Sequence, residues 1–115
     1  MIKNLWKDIT LYCNCHKEKV LMQPNPKGSS LFYSCPRYYS ENRSPDEKAC
    51  CNRISLNDYQ AAVEHIGERL AKNEAENVVE NLTGHTWSRK GIQHTVISHE
   101  DGNIKIAVKN LTALR

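Results

Sequence analysis

The chain has 115 residues, a quarter of them charged, with a net charge of +3 and five cysteines. That length gives room for one ordinary domain or two very small ones, and the composition predicts a soluble globular fold rather than a disordered chain. No apolar run approaches the roughly 18 residues of a transmembrane helix, and residues 1–8 lack the apolar stretch of a signal peptide, so a cytoplasmic location off the membrane is expected. The charge is unevenly spread. Residues 1–56 carry nine Lys or Arg against five Asp or Glu, residues 57–81 two against six, and residues 82–115 five against two. Basic ends flanking an acidic middle permit contact with phosphate at the ends and disfavour it between them.

In chain order, residues 1–8 read as a lead-in turn or short helix anchored by Leu5 and Trp6. Ile9-Thr10-Leu11-Tyr12-Cys13 alternates apolar and polar residues and predicts a strand. The segment from Gln23 to Ser30, with Pro24, Pro26 and Gly28, predicts a loop. Leu31-Phe32-Tyr33-Ser34-Cys35 predicts an aromatic strand, residues 36–48 an exposed loop, and Cys50 to Ile54 a short return strand. Ser55 is expected to cap a helix, with Asp58 reciprocating and Ile54 packing on Tyr59. Tyr59, Val63, Ile66, Leu70, Val78 and Leu82 then mark an apolar stripe, and Gly84 is expected to end a helix of about two dozen residues. Beyond Gly84 the period becomes two. Thr86-Trp87-Ser88 predicts a strand that turns at Lys90-Gly91. Strands over 92–98 and 104–109 flank His99-Glu100-Asp101-Gly102-Asn103, a hairpin turn signal, with Ile104, Ile106 and Val108 on one face and Lys105 and Lys109 on the other.

The cysteines carry the chemistry. Cys13 and Cys15 are two apart, Cys35 follows after nineteen residues and Cys50 after fourteen more. In a reducing compartment such a pattern reads as metal ligation before disulfide formation. Four thiolates suit a closed tetrahedral zinc site, and no carboxylate cluster suits a harder cation. Such an ion would replace the core that residues 9–56 are too polar to build. Cys50 is preferred over its neighbour Cys51 because alternation then places Cys51 beside Arg53 on the outer side and returns Ile54 to the core. His16 follows Cys15 directly and could replace a sulfur, although a histidine so placed is more often simply exposed. The bland alternative is five reduced thiols with no metal.

From Tyr12 to Ile54 the chain resembles zinc ribbons of the GRF type, which are appended to topoisomerases and repair nucleases. The resemblance rests on Cys13-Asn14-Cys15, Pro26-Lys27-Gly28-Ser29-Ser30, Phe32-Tyr33-Ser34-Cys35-Pro36 and Cys50-Cys51-Asn52-Arg53. It implies zinc and a surface for single-stranded DNA. Ser29 stands where that family has arginine, and Asn52-Arg53-Ile54 where it has aromatic residues. The run Cys50-Cys51-Asn52-Arg53-Ile54-Ser55, leading into a helix, is also similar to small proteins of bacterial mobile elements.

Lys17, Lys19, Lys27, Arg37, Arg43 and Arg53 interleave with Phe32, Tyr33, Tyr38 and Tyr39, the mixture by which single strands are held through phosphate contacts and base stacking. Of these, Lys17, Lys19, Lys27, Arg37, Tyr38 and Arg53 are the expected contacts; Phe32 and Tyr33 read as core. The expected fold is α+β: an N-terminal zinc ribbon of short antiparallel strands (1–56), one long amphipathic helix (57–83), and a C-terminal antiparallel hairpin or three-stranded sheet packed on it (84–115). The expected function is a zinc-binding accessory protein for nucleic acid, single-stranded DNA favoured. The alternative is a protein-interaction adaptor that uses the helix and the C-terminal sheet, with the zinc purely structural; its partner would be another protein or, through the helix, a second copy of the chain. His65, His85, His94 and His99 match no ligand spacing. No catalytic constellation is present, so no enzyme activity is expected.

Overall fold

Among the described residues two β-sheets and one α-helix enclose a single continuous core. The computed structural model describes residues 8–27, 30–76, 81–100 and 102–113. Strands β1 (Asp8–Cys13) and β2 (Val20–Leu21) are followed by β3 (Gln23–Lys27), β4 (Ser30–Ser34) and β5 (Arg53–Ser55). Helix α1 (Leu56–Ala75) comes next, then β6 (Thr86–Arg89), β7 (Ile92–Glu100) and β8 (Asn103–Asn110). The fold is α+β, as the sequence predicts.

The smaller sheet runs β3-β4-β5, all antiparallel. Its edge strand β3 overturns the loop expected over Gln23–Ser30. Pro24 and Pro26 sit two apart, so both missing N–H groups point the same way. On an edge strand that way is outward, away from β4, and no ladder bond is lost. Between β4 and β5 the chain makes two short 3-10 turns, Pro36–Tyr38 and Ser40–Asn42, inside the expected loop.

Helix α1 begins as its sequence dictates. The Ser55 hydroxyl accepts from the Asp58 backbone N–H at 3.2 Å, and the Asp58 carboxylate accepts from the Ser55 N–H at 3.4 Å, a reciprocal cap. The helix stops at Ala75, short of the expected Gly84. Gly84 instead turns the chain into β6, at a φ of +92°, with its N–H donated to the Val96 carbonyl at 2.8 Å. Leu82 is buried beyond the helix, and Val78 lies outside the described residues. Ile66 and Leu70 of the stripe are buried within the chain, as is Ala62, and Tyr59 and Val63 pack against the same core. Among the described residues no helix is long and apolar enough to cross a membrane.

The larger sheet has the order β2-β1-β8-β7-β6. Strands β6, β7 and β8 form the expected antiparallel meander. Lys90 (φ +52°) and Gly91 (φ +78°) make the two-residue turn that matches strand twist, and Gly102 (φ +79°) serves the second hairpin. Strand β1 does not stay with the cysteine-bearing arms. It lies parallel to β8, pairing Ile9 with Ile104, Leu11 with Ile106 and Cys13 with Val108. These six side chains share one face and are all buried there, whereas Lys105 on the opposite face is exposed. The first strand and the last therefore close one sheet around the helix, and Tyr59 seals the joint by donating its hydroxyl to the Ile9 carbonyl at 3.1 Å.

Candidate metal centre

Three elements deliver sulfur to one point. Cys13 ends β1 on its buried face, Cys35 follows β4 into the first 3-10 turn, and Cys50 precedes β5; all three are buried. The two later arms are laced together: the Cys35 N–H donates to the Asn52 carbonyl at 3.1 Å and the Cys50 N–H to the Arg37 carbonyl at 3.3 Å. Each arm also turns a backbone amide onto its own sulfur, that of Arg37 onto Cys35 and that of Asn52 onto Cys50. Amides aimed at sulfur favour the thiolate, the form that binds metal.

The fourth donor is His16. The chain bends through residues 15–18, which carries the imidazole across to Cys35, with Nε2 3.3 Å from its Sγ. The donor atoms of Cys13, His16, Cys35 and Cys50 all lie within 4.8 Å of one another. Cys13 and Cys50 place their sulfurs 3.8 Å apart. A tetrahedral ion with Zn–S bonds of about 2.3 Å and a Zn–N bond of about 2.0 Å requires edges of roughly 3.8 Å between sulfurs and roughly 3.5 Å between sulfur and nitrogen. The donors thus stand near the spacing of such an ion's ligands, close enough to hold a metal ion. Of the expected set Cys13, Cys15, Cys35 and Cys50, three belong to this group, which His16 completes; Cys15 is half-buried and packs beside Cys13. β1 ends at Cys13, and the bend that follows carries the longer imidazole inward to Cys35. Cys51 is exposed, as its alternation with Cys50 predicts.

Electrostatics fit this donor set. Burial pushes the Cys35 and Cys50 thiols above the ordinary range, with the neighbouring Cys13 adding to the rise. Burial and Cys13 push Cys15 up to about 12. Crowded buried thiols resist ionisation until a dication at their centre reverses the balance. Burial and the Arg37 charge hold His16 below the usual histidine range, which keeps it in the neutral, ligating form.

Asn52 is the outer support. Fully buried, it donates one Nδ2 hydrogen to Cys13 Sγ at 3.0 Å and the other to the Val108 carbonyl at 2.9 Å, while its Oδ1 accepts from the Asn110 N–H at 2.8 Å. One side chain therefore ties the centre to β8. The sequence signals it only as a polar residue among apolar neighbours.

The expected nucleic-acid contacts divide into groups. Tyr38 and Arg53 line a cavity of about 440 Å³ that reaches Cys50 and Cys51 and is also walled by Phe32, Tyr39 and Asn25. Lys17 and Arg37 line a second, more open cavity with Glu18. Arg37 is engaged by Glu18 and, at 3.6 Å, by Glu47, so its charge is already answered within the fold. Lys19 is exposed, and the Lys27 side chain lies outside the described residues. Phe32 was expected in the core, yet it is only half-buried and carries the Arg53 guanidinium 5.8 Å above its ring centre. Tyr33 does join the core, its ring 4.8 Å from that of Tyr59. Compared with family models, curated proteins and solved structures, the chain matches none.

A cobalt-substituted protein tests the ligand set. Cys15→Ser is expected to leave the Co(II) ligand-field spectrum and affinity unchanged. His16→Ala is expected to alter the spectrum and weaken binding by at least the about 10- to 100-fold that loss of an outer-shell partner costs. The reverse ranking would return the fourth position to Cys15.

Proposed function

We propose that this chain is a zinc-binding accessory module that holds single-stranded nucleic acid, DNA favoured, and catalyses no reaction. Thiolates with one imidazole match zinc's softness and its four-coordinate structural sites, and a closed set of four leaves no open position for a reacting water. The observation that carries the nucleic-acid reading is the cavity beside Cys50. Tyr38 and Tyr39 stand edge to face, 5.3 Å between centroids, with 52% and 43% of their surface exposed. Exposed rings present flat faces on which bases stack. Arg53 supplies a cation at the same opening, and among the described residues no carboxylate lines it. Rings for bases and a guanidinium for phosphate are the two components of sequence-tolerant single-strand binding. The metal's part is to hold the arms that carry them: Tyr38 follows Cys35 by three residues and Arg53 follows Cys50 by three.

Fluorescence anisotropy with labelled single- and double-stranded oligonucleotides at two salt concentrations tests this. Single strands are expected to bind more tightly, with affinity falling as salt rises. Tyr38→Ala is expected to cost about 1–3 kcal/mol, a loss of roughly fivefold to a hundredfold. Arg53→Ala is expected to weaken binding and to lower the salt slope by about one. Equal binding by wild type and both variants, or affinity indifferent to salt, removes the proposal.

A further inference from the structure

Along the cross-strand row that runs from Cys13 through Val108 and His94 to Trp87, three of the four downstream histidines gather around that tryptophan. His65 comes from α1, His85 from the residue before β6, and His94 from β7, paired across from Trp87 on β6. The rings of His65 and Trp87 are 4.1 Å apart and those of Trp87 and His94 4.6 Å, all nearly parallel.

The His65–His85 pair has an unusual geometry. The planes differ by 8°, the ring centres are 5.3 Å apart and the two Nε2 atoms 3.0 Å apart. At that centre-to-centre distance, 3.0 Å is about the closest two imidazole nitrogens can come. It is reached only when each Nε2 points straight at the other in a common plane. The rings therefore lie edge to edge, with the indole over them. Head-on nitrogens exclude a metal ion, which would need about 4 Å between them for two bonds of about 2.0 Å. They fit one proton, donated by one ring and accepted by the other.

We propose that His65 and His85 form a proton-counting latch that fastens α1 to β6 while one proton lies between their Nε2 atoms and releases it when both nitrogens are protonated. The neutral pair already holds that proton. A first added proton goes to an outer Nδ1 and makes the bridge charge-assisted, under the face of an indole that attracts cations. A second leaves two N–H donors facing each other with no acceptor, and the contact must open. The surrounding charges are mixed. Glu68 on the helix favours the charged form of His65 and Arg69 opposes it; Asp58, shared with Arg89 of β6 at 3.4 Å, acts on His94. Burial first, then His85, holds His65 below the usual histidine range, and burial does the same for His94. The sign follows: groups kept neutral by folding stabilise above their unfolded values, and that contribution is lost as pH falls through the folded ones.

The test follows imidazole ¹⁵N shifts and amide-exchange protection of α1 in the metal-loaded chain from about pH 8 to pH 5. The two histidines are expected to titrate in two separated steps that belong to the pair. Protection in α1, corrected for intrinsic exchange, is expected to fall about tenfold or more at the second step. His65→Gln and His85→Gln are each expected to abolish that step. Cobalt absorbance in the same titration dates metal loss separately, and the ¹⁵N titration of the wild-type chain stands even where a variant fails to fold. Independent titration at ordinary histidine values, or helix protection that tracks only metal loss, overturns the latch.

Discussion

Stripping the metal with a chelator at neutral pH is expected to unfold most of this chain at room temperature. Structural zinc supplies on the order of 10 kcal/mol in small sites, against a total stability of about 5–15 kcal/mol for a domain. The loss cannot stay local. Cys13, Cys35 and Cys50 belong to the same buried cluster as Ile66, Leu70, Val96 and Ile106, and Cys13 is itself a residue of the five-stranded sheet. Circular dichroism and native mass spectrometry before and after chelation read the result. A metal-free chain with an unchanged melting curve would refute both the centre and the proposed role. The pH dependence has a definite sign. Cys35 and Cys50 keep their protons above the ordinary thiol range, so a bound ion must displace both, whereas neutral His16 gives up none. Affinity is therefore expected to fall by about a hundredfold or more for each unit of pH lost below neutrality. Competition with a chromophoric chelator at pH 6 and pH 7 measures it.

Asn52→Ala is expected to destabilise the metal-loaded protein by about 3–5 kcal/mol, more than an ordinary substitution costs. Alanine strands the Asn110 amide in the interior, leaves the Val108 carbonyl with only the Asn14 N–H, and removes the amide that points at Cys13. Asn110 in turn donates to the Arg53 carbonyl at 2.7 Å, so the loosening passes to β5 and to the cavity. Chemical denaturation gives the number, and a cost under about 1 kcal/mol would show that Asn52 is a passenger. Asn52→Asp separates the roles. It keeps an acceptor for Asn110 but sets a negative charge against the Cys13 sulfur, so metal affinity is expected to fall well below that of Asn52→Ala.

Local signals were readable wherever neighbours in sequence meet in space. Ser55 and Asp58 cap the helix as their spacing implies, and Lys90-Gly91 turns the hairpin. The alternation at Ile9-Leu11-Cys13 and Ile104-Ile106-Val108 marks buried faces correctly. Readings failed where a signal has two physical outcomes. Prolines at 24 and 26 break an inner strand but suit an edge. A glycine at 84 ends a helix or simply turns a loop, and the helix had already stopped at Ala75. His16 and Cys15 both lie near the sulfurs, and the bend at 15–18 brings the imidazole of His16 to 3.3 Å from Cys35. The histidines showed no ligand spacing, yet helix and sheet bring His65 within 3.0 Å of His85 across twenty positions.

The order of residues alone determined the α+β class, the cap, the turns, the buried faces and three of the four proposed metal donors. Periodicity, φ preference and thiol chemistry act over a few residues or on single side chains. Tertiary structure alone decided that β1 lies parallel to β8, that Asn52 binds the centre to the last strand, and that Tyr38, Tyr39 and Arg53 share one opening. A parallel pair needs its partners brought together across a long crossover rather than a tight turn. Nearly the whole chain lies between Cys13 and Val108, and the match of their buried faces emerges only when the core closes.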